Sequence, residues 1–266
     1  MIRLKNEKQI EGIRTSCRML SAMYRELVPL VTPGVETLEL ERWAQNWIKK
    51  AGGKPAFLGY GPRENPFPAV LCISINHEVI HGLPSKQRIA QGDLVSLDSG
   101  IELGGFISDQ AITVEVGTVS EAAHKLNMVT QECLYKGIAA AKAGDRLLQI
   151  ARAVHSHAVS QGYGVVHQYC GHGVGFDLHE DPQVSNQPRG PNPRMVGGLV
   201  IAIEPMINLG TGDVDVLENG WTVVTADRKL SAHWEHTVAV FKDHTELLTE
   251  PISCGGQREC PIVCAR

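Results

Sequence analysis

The chain carries an echo of itself at an offset of 110 residues. Pro33-Gly34-Val-Glu-Thr-Leu38-Glu-Leu40-Glu-Arg42 runs on to Ala51-Gly52. Ala143-Gly144-Asp-Arg-Leu-Leu148-Gln-Ile150-Ala-Arg152 runs on to Gln161-Gly162. A Gly, a Leu, an aliphatic residue, an Arg and the closing Gly all stay in register. Each stretch reads as a helix that starts after a turn and is stopped by glycine. Each follows another helical pattern: residues 6–29, with Ile10, Ile13, Cys17, Leu20 and Leu27, and residues 120–142, with Ala123, Leu126, Val129, Cys133 and Ile138. Each precedes a β-rich region, 70–116 in the first half and 164–248 in the second. Amphipathic helices share patterns cheaply, but order and register together favour duplication over chance. Helix, helix, then sheet, twice, predicts a duplicated α+β unit. The natural place for a site in such a fold is the seam between the halves.

Length and composition fit that frame. A chain of 266 residues suits one large domain or two small ones, and 43% hydrophobic residues with 20% charged supply a sizeable core. A net charge of −4 and a pI near 6.3 give no signature of polyanion binding. No run of about 18 apolar residues predicts a membrane span. The opening Met1-Ile-Arg-Leu-Lys-Asn-Glu-Lys-Gln lacks the apolar core of a secretory signal. A cytoplasmic location is the expectation. Cys17, Cys72, Cys133 and Cys170 are scattered among apolar residues and read as reduced thiols rather than a disulfide framework. Cys254, Cys260 and Cys264 fall in a terminal stretch, 251–266, expected to be a poorly ordered tail. Their spacing matches no standard zinc knuckle.

Chemistry concentrates in four places. Asp93 to Val116 is two β-rich runs around Leu103-Gly104-Gly105, the pattern of a tight hairpin. A turn centred near Leu103-Gly104 puts Asp98 directly opposite Asp109 on one face. Two carboxylates that close repel unless a cation or a proton lies between them. The alternative is a solvated face carrying two aspartates, but Leu94, Leu97, Ile107 and Ile112 surround the pair, so a cation site is the sharper reading. In the second half, Cys170-Gly171-His172-Gly173-Val-Gly175 has glycines on alternate positions, which excludes a helix and lets backbone and ligand come close to His172. Asp177-Leu178-His179-Glu180-Asp181-Pro182 follows at once, then a Pro/Gly/Asn loop over 182–198. Glu204 closes the apolar strand from Gly198, and Glu235 precedes the strand from Val238. A lone buried glutamate is expensive unless paired or ligating. His77-Glu78-Val79-Ile80-His81 matches the H-E-x-x-H zinc-peptidase pattern, which needs both histidines on one helical face. Strand-like Val70–Ile75 before it and Gly82-Leu-Pro84 after it predict strand and loop, so that match is set aside.

Together these segments resemble the type I methionine aminopeptidases, from about residue 5 to 248. Asn76-His-Glu-Val-Ile-His81-Gly82 is similar to the family's Asn-to-His-Gly segment and marks His81 rather than His77. Asp98, Asp109, His172, Glu204 (in Ile-Glu-Pro-Met) and Glu235 (in Trp-Glu-His-Thr) fall on its five metal ligands. The resemblance implies the "pita-bread" fold, a pseudo-twofold α+β arrangement with a curved antiparallel sheet and helices packed outside. It implies one catalytic domain over 1–250, with halves of about 1–117 and 118–250. The implied reaction is hydrolytic removal of initiator methionine from nascent polypeptides with small second residues.

The implied cofactor is two divalent ions, with cobalt, manganese, iron, zinc and nickel all compatible. Asp109 and Glu235 would bridge them, Asp98 would complete one, and His172 and Glu204 the other. Such a pair lowers the pKa of a bridging water to give hydroxide, and one ion can take the substrate's free amine. Glu204 would be the general base. His179 would hydrogen-bond the substrate carbonyl, and His81 would contact the scissile amide. Tyr60, Phe67, Cys72, Leu178 and Trp221 would line the methionine pocket. There the chain departs from the family: Gly61–Phe67 is longer than the usual segment, and Leu178 stands where an aromatic is common. The implied partners are nascent N-termini, with the ribosome open and a monomer expected. Prolidases and X-prolyl aminopeptidases carry an extra N-terminal domain for which this helical start leaves no room. Type II methionine aminopeptidases carry a helical insertion where only 24 residues lie between His179 and Glu204. A metal-free binding protein on the same fold would be marked by lost ligands, and none is lost.

Overall fold

The structure, a computed structural model, describes residues 1–252; the three cysteines of the terminal stretch lie outside the described residues. Helix α1 (Glu7–Leu27) opens with a capping box in which Asn6 and Gln9 satisfy each other's backbone N–H. It buries Ile10, Ile13, Cys17, Leu20, Tyr24 and Leu27. Helix α2 (Thr37–Ala51) ends at Gly52, left-handed at φ +83°. Helix α3 (Glu121–Ala140) is capped by Ser120, and α4 (Leu148–Ser160) packs against it. The helices begin and end close to the expected positions.

Strands β1 (Lys54–Pro55), β2 (Cys72–Ile75), β3 (Glu78–Ile80), β4 (Leu94–Leu103) and β5 (Phe106–Glu115) follow α2. After α4 come β6 (Gly164–Val165), β7 (Gly171–Gly173), β8 (Glu180–Val184), β9 (Leu199–Ile203) and β10 (Met206–Asn208). They are followed by β11 (Val214–Val216), β12 (Val223–Thr225), β13 (Ser231–His233), β14 (His236–Val240) and β15 (Thr245–Leu247). The long strand β4 is flanked by β5 on one edge and by β2 and β1 on the other. The second large sheet runs β15-β14-β9-β7-β8, antiparallel throughout. Two three-stranded sheets, β13-β10-β6 and β11-β12-β3, complete the sheets among the described residues. This is the predicted α+β class.

The duplication is visible in backbone bonds outside the helices. Gly34 N–H donates to Ile89 O and Gly144 N–H to Met195 O, both at 2.8 Å. Thr37 N–H donates to Gln87 O at 3.0 Å and Leu147 N–H to Pro193 O at 2.9 Å. Arg88 reaches the Gly34 carbonyl at 2.6 Å, and Arg194 reaches that of Gly144 at 2.7 Å. The halves meet along β5 and β14. Glu235 N–H donates to Ala111 O at 2.8 Å, and Thr237 Oγ1 donates to Asp109 O at 2.7 Å. One core spans the seam, joining Leu20, Tyr24 and Leu97 to Ile201, Ile203 and Val238.

Two expectations are corrected. The hairpin turns on Gly104-Gly105, both at positive φ (+61° and +85°), because a two-residue turn of this kind needs two left-handed positions and only that pair supplies two glycines. Leu103 therefore pairs with Phe106, and Asp98 faces Ala111 while Asp109 faces Gly100. The two aspartates share a face but are diagonal neighbours rather than directly opposed. The loop expected from residue 182 also starts later: strand β8 runs on through Val184, pairing with β7 at Gly171.

Candidate metal centre and peptide cavity

Four carboxylates converge from four strand positions. Asp98 and Asp109 come from the middle of β4 and β5. Glu204 follows the last residue of β9, and Glu235 precedes the first of β14, one step beyond the registered pair Ile203 and His236. His172 comes from the centre of β7. That strand lies tight between its neighbours: a Cβ on Gly171 would stand 2.3 Å from Ala202 O, and one on Gly173 would stand 2.3 Å from Asp181 O. The alternating glycines are therefore what brings the imidazole within reach. Its Nδ1 lies 3.0 Å from the Gly173 carbonyl, which accepts its proton and leaves Nε2 bare toward the acids. Nε2 is 3.4 Å from Glu204 Oε1 and 3.7 Å from Asp109 Oδ2. Asp109, His172 and Glu235 offer donor atoms all within 4.8 Å of one another. Asp98 and Glu204 line the same cavity.

These acids have little to compensate them. Asp98, Asp109 and Glu235 are buried, and Asp98 Oδ1, Asp109 Oδ1 and Glu235 Oε1 have no hydrogen-bond partner among the described residues. Burial pushes Asp98 up to about 8. Burial first, and the other acids second, hold Asp109 and Glu235 well above the carboxylate range, and Glu204 is raised by burial and Asp98. The same burial lowers His172 to about 3 and His81 to about 4, so both imidazoles are neutral at pH 7. Orphaned carboxylate oxygens beside a neutral imidazole are a donor set that fits hard or borderline divalent ions.

Around the acids is a cavity of about 80 Å³. His81, Tyr60, Phe67, Cys72, Leu178, His179 and Trp221 all line it, so every residue expected at the site is brought to one place. Cys72 pairs with Asp98 across β2 and β4, which points its thiol to the acid face. The long 61–67 segment is absorbed outward: Phe67 N–H returns to Tyr60 O at 2.7 Å, and Phe67 meets Trp221 edge-on at 5.1 Å. Leu178 packs with Phe57, Phe67 and Cys72 in an apolar cluster separate from the main core. His179 is exposed at the rim, its ring 4.1 Å from that of His172. His81 meets Trp221 and Tyr169 edge-on. His77, by contrast, does not line the cavity, and Glu78–Ile80 is strand, so the zinc-peptidase pattern has no helix to sit on.

Two residues of the site carry no mark in the sequence motifs. Phe57 lines the cavity from a loop whose sequence has no periodicity. His233 is buried beside the acids, Nε2 3.7 Å from Glu204 Oε2. Its spacing of two from Glu235, the strand period, is the signal that could have found it.

Comparison with known proteins agrees. Residues 11–242 match Metallopeptidase family M24. Methionine aminopeptidase of Treponema pallidum is 54% identical over 94% of this chain and 97% of that protein. The crystal structure of methionine aminopeptidase from Thermotoga maritima superposes with a TM-score of 0.90 at 38% identity, covering 94% of this chain and 100% of that one. Prolidase from Pyrococcus furiosus has a TM-score of 0.76 at 24% identity, and the match covers only 66% of that longer chain. It shares the fold alone. A metallopeptidase centre on a duplicated α+β frame is what site and fold define, and the chain belongs to metallopeptidase family M24. Within that family, its Treponema pallidum and Thermotoga maritima relatives are methionine aminopeptidases.

Proposed function

We propose that this protein removes N-terminal methionine from polypeptides by metal-dependent hydrolysis. One observation carries the reading: three buried carboxylates, the half-buried Glu204 and a neutral imidazole stand directly beside an apolar pocket. Asp98, Asp109, His172, Glu204 and Glu235 would hold two divalent ions. Ions held there would supply Lewis acidity and a water that ionises near neutral pH. Glu204 takes the water's proton and returns it to the leaving nitrogen. His179, at the rim, donates to the substrate carbonyl as charge develops on it. His81, neutral and on the cavity wall, hydrogen-bonds the scissile amide. Phe57, Phe67, Cys72, Leu178 and Trp221 receive the methionine side chain, whose flexible thioether fits an irregular aromatic-lined space.

No helix among the described residues is long and apolar enough to cross a membrane. We place the enzyme in the cytoplasm, where nascent chains present their first residue, and expect it to act as a monomer.

The test is release of free methionine from Met-Ala-Ser and Met-Lys-Ser by metal-stripped protein, with and without manganese or cobalt. Cleavage of the alanine peptide only, and only with metal, is expected. Folded protein that cleaves neither peptide under any metal would refute the reading.

A further inference from the structure

His179 has no helix or long strand to hold it. It stands in the turn between β7 and β8, and Glu180 sets the shape of that turn. Glu180 Oε1 accepts the N–H of Phe176 at 2.7 Å and of Asp177 at 3.1 Å, so the carboxylate fills the inside of the turn. The countercharge comes from the other end of the chain. Lys5 Nζ lies 2.7 Å from Glu180 Oε2, and both side chains are 1% exposed. Arg3 adds a contact to Oε1 at 3.0 Å and another to Asp177. Lys5 is itself fixed on three sides. Its N–H donates to Gly198 O at 2.7 Å. Its stem lies against Gly175, where a Cβ would stand 3.0 Å from Lys5 Cε. Its ammonium is 5.6 Å from the centre of the Phe176 ring. Helix α1 starts two residues later, so the turn is moored to the base of that helix.

A buried ion pair is a poor source of net stability beside well-packed apolar residues, but breaking one leaves a charge uncompensated. An apolar contact could hold Leu178 in the pocket wall without directing His179. On the peptidase reading of this cavity, we infer that Lys5 is a positioning residue: through Glu180 it holds the 176–179 turn so that the His179 imidazole faces the cavity.

A double-mutant cycle tests this. Lys5→Met, His179→Ala and the double variant are assayed on Met-Ala-Ser after circular dichroism and Tm measurement. Lys5→Met is expected to lower kcat about 10- to 100-fold with KM within about 3-fold, the cost of misplacing a reacting group by roughly 1 Å. In the His179→Ala background the same change is expected to cost less than about 2-fold. Losses that multiply would overturn the assignment, as would an unchanged kcat in Lys5→Met. If Lys5→Met does not fold, Glu180→Gln, which keeps the acceptor oxygen and the length, is carried through the same cycle with the same expectation. NMR of histidine-labelled protein reads the geometry without activity. The His179 ring signals should move in Lys5→Met while those of His77 and His124 stay. Unmoved His179 signals would overturn the assignment whether or not any peptide is cleaved. A wild-type protein that cleaves nothing while these signals move would refute the peptidase reading and leave the mooring of the turn standing.

Discussion

His77 and His81 are four residues apart and have opposite fates. His81 adopts φ +58° and turns into the cavity; His77 stays outside it. His77→Ala is therefore expected to keep kcat/KM within about 3-fold, as a change at a half-buried position away from the cavity should. His81→Ala should lose about 100-fold, the cost of one hydrogen-bond donor to a reacting group. Equal losses in both, measured on Met-Ala-Ser, would revive the zinc-peptidase pattern. Most of the site is legible at this scale because its chemistry is written in short motifs. Cys-Gly-His-Gly and Trp-Glu-His-Thr each mark one side chain without any knowledge of pairing. Phe57 is not legible, since only the packing of its loop brings it to the cavity, through Ala56 N–H on Gly100 O at 2.9 Å. The Asp98–Asp109 register differs from expectation by one position in the turn, which shifts a pairing by two residues and so preserves the face.

Strand β7 is the element on which the centre depends most closely. It delivers His172 only because β8 and β9 press on it from both sides. Gly173→Ala would put a methyl group 2.3 Å from the Asp181 carbonyl and force the two strands apart. It is expected to lower stability by about 1–3 kcal/mol, as overpacking does. Urea denaturation checks it, and an unchanged midpoint would mean that β7 has slack. Loss of ion affinity should accompany the stability loss, because the strand's displacement carries Nε2 with it. Periodicity can announce the helices and the long hairpin, whose partners are local. It cannot announce that β12 pairs with β3, or β10 with β6 and β13, because those partners are distant in sequence and each strand is only two or three residues long.

For the whole molecule, the buried acids make stability depend on pH and metal. Their folded pKa values are raised, so the stability they contribute is present when they are protonated and is lost as pH rises toward about 8, the Asp98 value. The buried histidines His172 and His233, both lowered to about 3, act in the opposite sense but only below their unfolded value of about 6.5. Above that pH the acids act alone. Metal-free protein in EDTA should therefore lose Tm between about pH 6.5 and 8, by several degrees, while added manganese should raise Tm more at the upper end of that range than at the lower. A Tm that rises with pH in EDTA would contradict the unpaired burial of these carboxylates.

The five residues proposed as ligands are shared out between the halves: Asp98 and Asp109 lie before the connection at 116–120, and His172, Glu204 and Glu235 lie after it. A ribosome makes a chain from its N-terminus, so Glu235, the last of the five, is added 126 residues after Asp109. No product that stops before Glu235 contains a complete set. The order of manufacture thereby withholds hydrolytic capacity until the second half has closed against the first, and a polypeptide abandoned midway carries no functioning peptidase centre into the cell.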